Sequence, residues 1–105
     1  MYVPAISVDE LAGQIANGAV VVDVREQSEW DEGRVEGSRL IPLGEVIARV
    51  SEIPREGTVY VICRSGVRSA DACSYLRTQG IDAVNVTGGI LAWLDSERAI
   101  EFGTR

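Results

Sequence analysis

Two apolar runs constrain the fold of this chain more than any other feature of its sequence. Residues 19–24 (AVVVDV) form a mostly β-branched run without alternation of apolar and polar positions, and residues 58–62 (TVYVI) form the clearest second strand. A run without alternation suits a strand of a parallel sheet that helices cover on both faces. Segments with the apolar spacing of amphipathic helices separate the runs, so the sequence predicts an α/β domain.

Capping residues, glycines and apolar spacing predict the remaining elements. Ser7 and Glu10 form a capping box, which predicts a helix that begins there and stops at Gly18. Further helices are predicted over residues 27–32, 43–50, 69–79 and about 90–94, and further strands over residues 40–41 and 83–86. We expect one domain over residues 1–105, with a core over about 5–96 and a C-terminal tail over 97–105.

Composition and charge exclude several classes of protein. The chain is 46% hydrophobic and 25% charged, which is typical of a globular domain rather than a disordered one. Its net charge of −6 argues against nonspecific binding of nucleic acid, which requires a basic surface. The absence of histidine removes Cys–His and Ser–His dyads and argues against a zinc or haem site. We therefore expect no metal and no cofactor.

The two cysteines and the N-terminus indicate a compartment. Cys63 and Cys73 match neither a disulfide framework nor a zinc or redox CxxC pattern. No segment approaches the roughly 18 apolar residues of a membrane helix. The first residues lack the basic and apolar regions of a signal peptide. We expect a cytoplasmic protein without membrane contact.

Cys63 follows the predicted strand at once and begins the segment CRSGVRS, residues 63–69. In an open α/β sheet, ligands bind at the carboxyl ends of strands, and a helix N-terminus there favours anions. Backbone N–H groups of the loop can form a nest for negative charge, Gly66 permits the turn, and Arg64 and Arg68 add two cations. Each of these features lowers the pKa of a thiol. Cys63 is therefore a candidate nucleophile, although a cysteine without such neighbours is more simply a buried apolar residue.

The same cradle suits a small anionic sulfur donor such as thiosulfate, because guanidinium groups bind several oxygens at once. Attack of the Cys63 thiolate on the outer sulfur would leave a persulfide and release sulfite. A thiol or cyanide-like acceptor would then take the sulfur, which is covalent catalysis by double displacement. We assign donor binding to Arg64, Ser65, Gly66, Val67 and Arg68.

Three segments of the chain together resemble the rhodanese family. The segment 63–69 resembles the family's active-site loop, while 22–26 with Glu29-Trp30 and 41–43, and 86–90 with Ala92-Trp93, resemble its N-terminal and C-terminal signatures. The three occur in the expected order between residues 20 and 94. The resemblance implies a single rhodanese-like domain, a central parallel five-stranded sheet flanked by helices on both faces, and Cys63 as the carrier of a persulfide.

Two alternatives to a thiosulfate sulfurtransferase remain open. A persulfide carrier or binding module would use the same cysteine but receive its sulfur from a partner protein in a sulfur relay, such as a cysteine desulfurase. Related phosphatases and arsenate reductases place five residues between cysteine and arginine, whereas four separate Cys63 from Arg68. The shorter loop predicts a cradle sized for sulfur rather than for a tetrahedral phosphate, so a phosphatase or arsenate reductase is the less favoured interpretation.

Four other residues have both a functional and a structural interpretation, and a fifth departs from the family pattern. Asp23 and Arg25 end a predicted strand and can support the site, but a structural ion pair between them is the favoured interpretation. Ser69 can also support the site, but it is expected to cap its helix. Cys73 is expected to point into the core rather than to act as a resolving thiol. Arg34 stands where the family commonly has a histidine in a structural role, and we expect this change to be tolerated.

Overall fold

The computed structural model describes residues 2–104, and a parallel sheet forms its centre. The strands are β1 (Ala5–Ile6), β2 (Val20–Asp23), β3 (Arg39–Leu40), β4 (Thr58–Ile62) and β5 (Asp82–Val86). The helices are α1 (Val8–Ala16), α2 (Gln27–Glu32), α3 (Val67–Thr78) and α4 (Gly89–Asp95). The strand order is β1-β5-β4-β2-β3, and all pairs are parallel, so β4 lies in the middle with its carboxyl end between those of β2 and β5.

Apolar side chains form two clusters, one on each face of the sheet. In β4, Val59 and Val61 belong to the first cluster, whereas Tyr60 and Ile62 belong to the second, because successive side chains of a strand point to opposite faces. Helix α3 contributes to the first cluster, and helices α1 and α4 contribute to the second. This arrangement confirms the predicted α/β fold with helices on both faces of a five-stranded parallel sheet.

Helix α1 begins as its sequence predicts. The Ser7 hydroxyl accepts from the Glu10 backbone N–H, and the Glu10 carboxylate accepts from the Ser7 backbone N–H, both at 3.1 Å. Gly18, just beyond the helix, has a φ of +85°, a left-handed conformation that favours glycine. None of the helices found within residues 2–104 is both long enough and apolar enough to cross a membrane.

The predicted helix over residues 43–50 is wrong. This part of the chain forms two short 3-10 turns, Leu43–Glu45 and Val50–Glu52, joined by irregular turns. Val46 is buried, as the apolar spacing predicts, but Ile47 is 68% exposed. With Ile47 in water, too little apolar surface faces the sheet to stabilise a full helix. Most backbone hydrogen bonds in this segment are of the i→i+3 type, and the bond from the Arg49 N–H to the Glu45 carbonyl is an i→i+4 exception.

Strand β1 was not predicted from the residues, because two residues are too few to show a period. Ala5 pairs with Asn85 and Ile6 with Val86, and the Asn85 backbone N–H donates to the Pro4 carbonyl. The residue patterns alone predicted four strands, and the resemblance to a family implied the fifth.

The C-terminal tail is anchored through Arg34, which is 1% exposed. An antiparallel bridge joins the backbones of Arg34 and Glu101, and the Arg34 Nε lies 3.2 Å from the Glu101 carboxylate. The guanidinium also donates to the carbonyls of Trp30 and Gly103 and stacks 4.8 Å from the centre of the Trp30 ring. Arg34 therefore has a structural role, because it connects Trp30 to the C-terminal tail at Glu101 and Gly103.

Candidate active site

The loop that begins with Cys63 joins the middle strand to a helix. Strand β4 ends at Ile62 and helix α3 begins at Val67, so only four residues form the connection. Gly66 has a φ of +110° at the N-cap of α3, which turns its backbone N–H toward the Cys63 sulfur. The carboxyl end of β4 and the start of α3 thus meet at one sulfur atom, as the sequence predicts.

Two hydrogen-bond donors lie within reach of the Cys63 sulfur. The Gly66 backbone N–H donates to Sγ at 3.1 Å, and the Ser69 hydroxyl lies 3.3 Å from it. Burial is the largest influence on the thiol and raises its pKa, but the hydrogen bonds from the Ser69 side chain and from the backbones of Ser69, Gly66 and Ser65 together bring the pKa below the ordinary value of 9.0. The site therefore favours a thiolate mainly through hydrogen bonds.

Cys63 is only 1% exposed, and one side of it packs in the cluster beneath α3. Its neighbours Arg64, Ser65 and Val67 are exposed. The sulfur thus lies just beneath a loop that faces solvent, with polar donors rather than apolar atoms on its loop side.

Ser69 does not cap its helix, contrary to prediction. Helix α3 begins two residues earlier, at Val67, so Ser69 lies in its first turn with its side chain fully buried against the sheet. Its hydroxyl lies between Cys63 Sγ and the Asn85 Oδ1, which is 2.5 Å away. Strand β5, which pairs with β4, therefore supplies Asn85 to the site.

Asn85 is a residue of the site that the sequence motifs do not predict. It lies in β5 and faces α3, where its Nδ2 donates to the Gly66 carbonyl at 3.1 Å. A signal was present, because Asn85 is a polar residue between the apolar Val84 and Val86 of a strand. A polar side chain on the covered face of a sheet needs hydrogen-bond partners, and here they belong to the active-site loop.

The Arg68 guanidinium forms an ion pair with α2. It donates to both carboxylate oxygens of Glu29, at 2.7 and 2.8 Å. This hydrogen bonding lowers the pKa of Glu29 to about 2 and raises the pKa of Arg68, to which the nearby Cys63 also contributes. Of the two cations predicted to bind the donor, Arg68 is therefore already balanced by Glu29.

Asp23 and Arg25 form a buried ion pair. The Arg25 Nη2 lies 2.7 Å from the Asp23 carboxylate, and the two side chains are 5% and 0% exposed. The same guanidinium donates to the carbonyl of Glu29, within the short helix α2, and to that of Gly33, its C-cap. Arg25 thus positions the backbone of Glu29, and the favoured structural interpretation of this pair agrees with its contacts.

Helix α4 supports the loop from the other side. The backbone N–H groups of Ile90 and Leu91 donate to the carbonyls of Cys63 and Arg64, at 2.9 and 3.1 Å. This approach requires Gly89, because a Cβ there would overlap the same two carbonyl oxygens. The N-terminus of α4 therefore binds the backbone of the loop and does not offer these groups to a ligand.

A shallow cavity of about 160 Å³ lies beside the loop. Arg64 lines it together with Leu91 and Leu94 of α4 and with Glu29 and Glu32 of α2. Arg64 makes no ion pair with any residue of the described chain, 2–104, so it is the cation of the loop that can meet an anionic ligand.

The second cysteine lies outside this site. Cys73 is fully buried in α3, and burial raises its pKa to about 12. A thiol in this state is unreactive, which agrees with the predicted core position. Within residues 2–104, no group of three or more Cys, Asp or Glu side chains has the arrangement needed to hold a metal ion.

Comparison with known proteins places this geometry in a family. The family model described as "Rhodanese-like domain" matches residues 7–96. The chain belongs to the rhodanese-like domain family. A sulfurtransferase of Allochromatium vinosum is 41% identical over 75 residues, which are 70% of each chain. A crystal structure of a rhodanese-related protein from Thermoplasma volcanium superposes with a TM-score of 0.89 at 32% identity, over 93% of this chain and 97% of that one.

Membership of the rhodanese-like family supports a sulfurtransferase activity, because named relatives share it. Besides the protein of Allochromatium vinosum, the thiosulfate sulfurtransferase GlpE of Pseudomonas paraeruginosa is 32% identical over 78 residues, 73% of this chain and 71% of that protein. In this rhodanese-like domain the loop residues Cys63, Ser65, Gly66 and Ser69 converge on one sulfur, whereas Arg68 is directed to Glu29.

Proposed function

We propose that this rhodanese-like domain moves a sulfane sulfur from a small anionic donor, such as thiosulfate, to a thiol or cyanide-like acceptor through a persulfide on Cys63. The observation that carries the proposal is the Cys63 sulfur with the Gly66 N–H at 3.1 Å and the Ser69 hydroxyl at 3.3 Å. These donors stabilise a thiolate in a chain that has no histidine to act as a base.

The first half-reaction transfers sulfur to the protein. The Cys63 thiolate attacks the outer sulfur of thiosulfate, a new S–S bond forms, and the S–S bond of the donor breaks with its electron pair leaving as sulfite. The second half-reaction regenerates the thiolate, since the acceptor attacks the outer sulfur and the electron pair of the persulfide bond returns to Cys63. Each thiosulfate brings two negative charges and each sulfite carries two away, so the transfer consumes no external oxidant or reductant.

The loop residues have distinct roles in this proposal. The N–H groups of Ser65 and Gly66 hold the negative charge on sulfur, and Val67 begins the helix whose N-terminus faces it. Arg64 attracts the anionic donor, whereas Arg68 shapes the loop through Glu29. Because Cys63 is 1% exposed, we expect the donor to reach the sulfur by displacing the exposed side of the loop.

Intact-mass spectrometry after incubation with thiosulfate tests the proposal. We expect a gain of one sulfur atom that cyanide removes, and Cys63→Ser should abolish both the gain and the formation of thiocyanate. Cys73→Ala is the matched control, since Cys73 is buried with a pKa near 12 and should leave the persulfide unchanged. A persulfide that survives the loss of Cys63 would refute the assignment.

A carrier function is the second candidate, and one comparison favours it. The chain is 39% identical over 74 residues to the candidate sulfur carrier protein YrkF of Bacillus subtilis, covering 40% of that protein. Turnover with thiosulfate should be compared with loading of Cys63 by a cysteine desulfurase. Faster loading by the protein donor favours a place in a sulfur relay, whereas Cys63-dependent hydrolysis of an aryl phosphate would favour a phosphatase instead.

Both cysteines are unpaired. A free thiol persists most readily in a reducing compartment, and on that ground we propose the cytoplasm as the site of action.

A further inference from the structure

The Ser69 hydroxyl has one proton and two neighbours that can accept it. Its oxygen lies 3.3 Å from Cys63 Sγ and 2.5 Å from Asn85 Oδ1. A hydroxyl donates one hydrogen bond at a time and accepts through its lone pairs. The two neighbours therefore compete for the same proton, and the ionisation of Cys63 decides the outcome.

The orientation of Asn85 is set by the active-site loop. Its Nδ2 donates to the Gly66 carbonyl at 3.1 Å, which leaves Oδ1 directed at Ser69. An amide oxygen only accepts, so a contact of 2.5 Å between Oδ1 and the Ser69 oxygen is favourable when the Ser69 proton lies between them. In that arrangement the Ser69 oxygen presents a lone pair to Cys63, and the neutral thiol can donate its own proton to it.

The arrangement reverses when Cys63 is ionised. A thiolate cannot donate, and it attracts the Ser69 proton more strongly than a neutral amide oxygen does. The hydroxyl then turns to sulfur, and Asn85 Oδ1 loses its donor. Ionisation of Cys63 thus includes the cost of breaking the bond between Ser69 and Asn85.

We propose that Asn85 is a positioning residue that limits the ionised fraction of Cys63 by holding the Ser69 proton away from the sulfur. The inference rests on the proposed function and deepens it, because it assigns control of the same thiol to a residue outside the loop. The charged and titratable groups around Cys63 do not by themselves set its ionised fraction. Arg68 is balanced by Glu29, and Cys73 on α3 is neutral with a pKa near 12.

The competition for the Ser69 proton also affects the stability of the persulfide. Once Cys63 carries the extra sulfur, the negative charge moves to the outer atom, and Sγ is a weaker acceptor. The Ser69 proton can then return to Asn85, which stabilises the loaded form. When the sulfur leaves, charge reappears on Sγ and the hydroxyl turns back to it. Asn85 therefore shifts the balance between the loaded and the unloaded cysteine toward the loaded one.

A double-mutant cycle on the complete chain tests the proposal. The pH dependence of Cys63 alkylation by iodoacetamide is measured, with the modified cysteine identified by peptide mapping. Asn85→Leu should lower the pKa of Cys63 and raise the alkylation rate below the midpoint by about three- to tenfold, the equivalent of one hydrogen bond. The same substitution combined with Ser69→Ala should change neither relative to Ser69→Ala alone, because the contested proton is absent.

Equal shifts in both backgrounds would overturn the proposal, since they would show that Asn85 acts through its bond to Gly66. An unchanged or raised pKa in Asn85→Leu would overturn it as well. If the variants do not fold, the side-chain amide of Asn85 is followed by NMR across a pH titration of the unmodified protein. Its chemical shifts should change with the same midpoint as the ionisation of Cys63. Chemical shifts that stay constant across this titration would contradict the proposal.

These measurements need no sulfur transfer. Failure to form a persulfide would refute the proposed function but would not change the alkylation result. An absence of coupling between Asn85→Leu and Ser69→Ala would refute only the role of Asn85.

Discussion

At the scale of single residues, the ion pair between Glu29 and Arg68 determines the charge that a ligand meets at the loop. Both oxygens of Glu29 accept from the guanidinium, and each side chain keeps about a quarter to a third of its surface exposed. A cation that is already paired attracts an anionic donor less than a free one. In the proposed function, the attraction of the donor is therefore assigned to Arg64, which lines the cavity beside the loop.

The Glu29–Arg68 pair predicts a pH dependence of stability. The pKa of Glu29 is lowered from 4.5 to about 2, so its contribution is complete above pH 4.5 and is lost as the pH falls toward 2. Glu29→Gln should reduce the free energy of unfolding by less than about 1 kcal/mol at pH 7, because the pair is partly exposed. The difference from the unmodified protein should vanish near pH 2 in urea titrations. Glu36→Gln, at an exposed position, is the control, and a difference that grows in acid would contradict the prediction.

At the scale of elements, the junction between the active-site loop and helix α4 allows almost no additional atoms. Gly89 has a φ of +56°, and a Cβ at this position would overlap the carbonyl oxygens of Cys63 and Arg64. Two backbone hydrogen bonds from α4 to the same carbonyls fix the loop at this point. The shape of the loop is thus determined by a helix that follows it by more than twenty residues in the chain.

Gly89→Ala should therefore destabilise the protein strongly. The left-handed backbone and the overlap with two carbonyl oxygens should together cost more than about 2 kcal/mol in the free energy of unfolding. Gly13→Ala is the matched control, because Gly13 lies in α1 with open space around it and should gain about 0.5–1 kcal/mol. Urea denaturation of the two variants measures the contrast, and a neutral Gly89→Ala would show that the loop adapts easily.

At the scale of the whole molecule, the sheet collects distant parts of the chain around one sulfur. The end of β2 positions α2, the end of β4 provides Cys63, and β5 provides Asn85. The C-terminal tail adds one more long-range contact, because Glu101 binds the buried Arg34 next to Trp30. The segment beyond α4 is in this way part of the folded domain up to Gly103, whose carbonyl also binds Arg34.

Removal of the tail carboxylate should lower the stability of the domain. Glu101→Ala leaves the Arg34 guanidinium buried with one partner fewer, and we expect a loss of about 1–3 kcal/mol in the free energy of unfolding. Phe102→Ala, at a neighbouring position that is 71% exposed, should stay within about 0.5 kcal/mol of the unmodified protein. Thermal or urea unfolding compares them, and equal effects of the two substitutions would exclude a specific role of the Arg34–Glu101 pair.

Local sequence determined the framework of this protein. Three features follow from patterns within a few residues, because period, capping and turn chemistry are local: the strands buried on both faces, the start of α1 and the position of Cys63 at a strand end. The helix predicted over residues 43–50 shows the limit of such patterns, since apolar spacing identified a buried Val46 but not the turns around it.

Only the tertiary structure decided the partners of the polar side chains. Ser69 meets Asn85 across 16 residues of chain, Arg68 meets Glu29 across 39, and Arg34 meets Glu101 across 67. Such contacts depend on strand order and register, which bring distant segments to the same edge of the sheet. The sequence could single out Cys63 because its loop is continuous, but the side chains that surround its sulfur are neighbours only after folding.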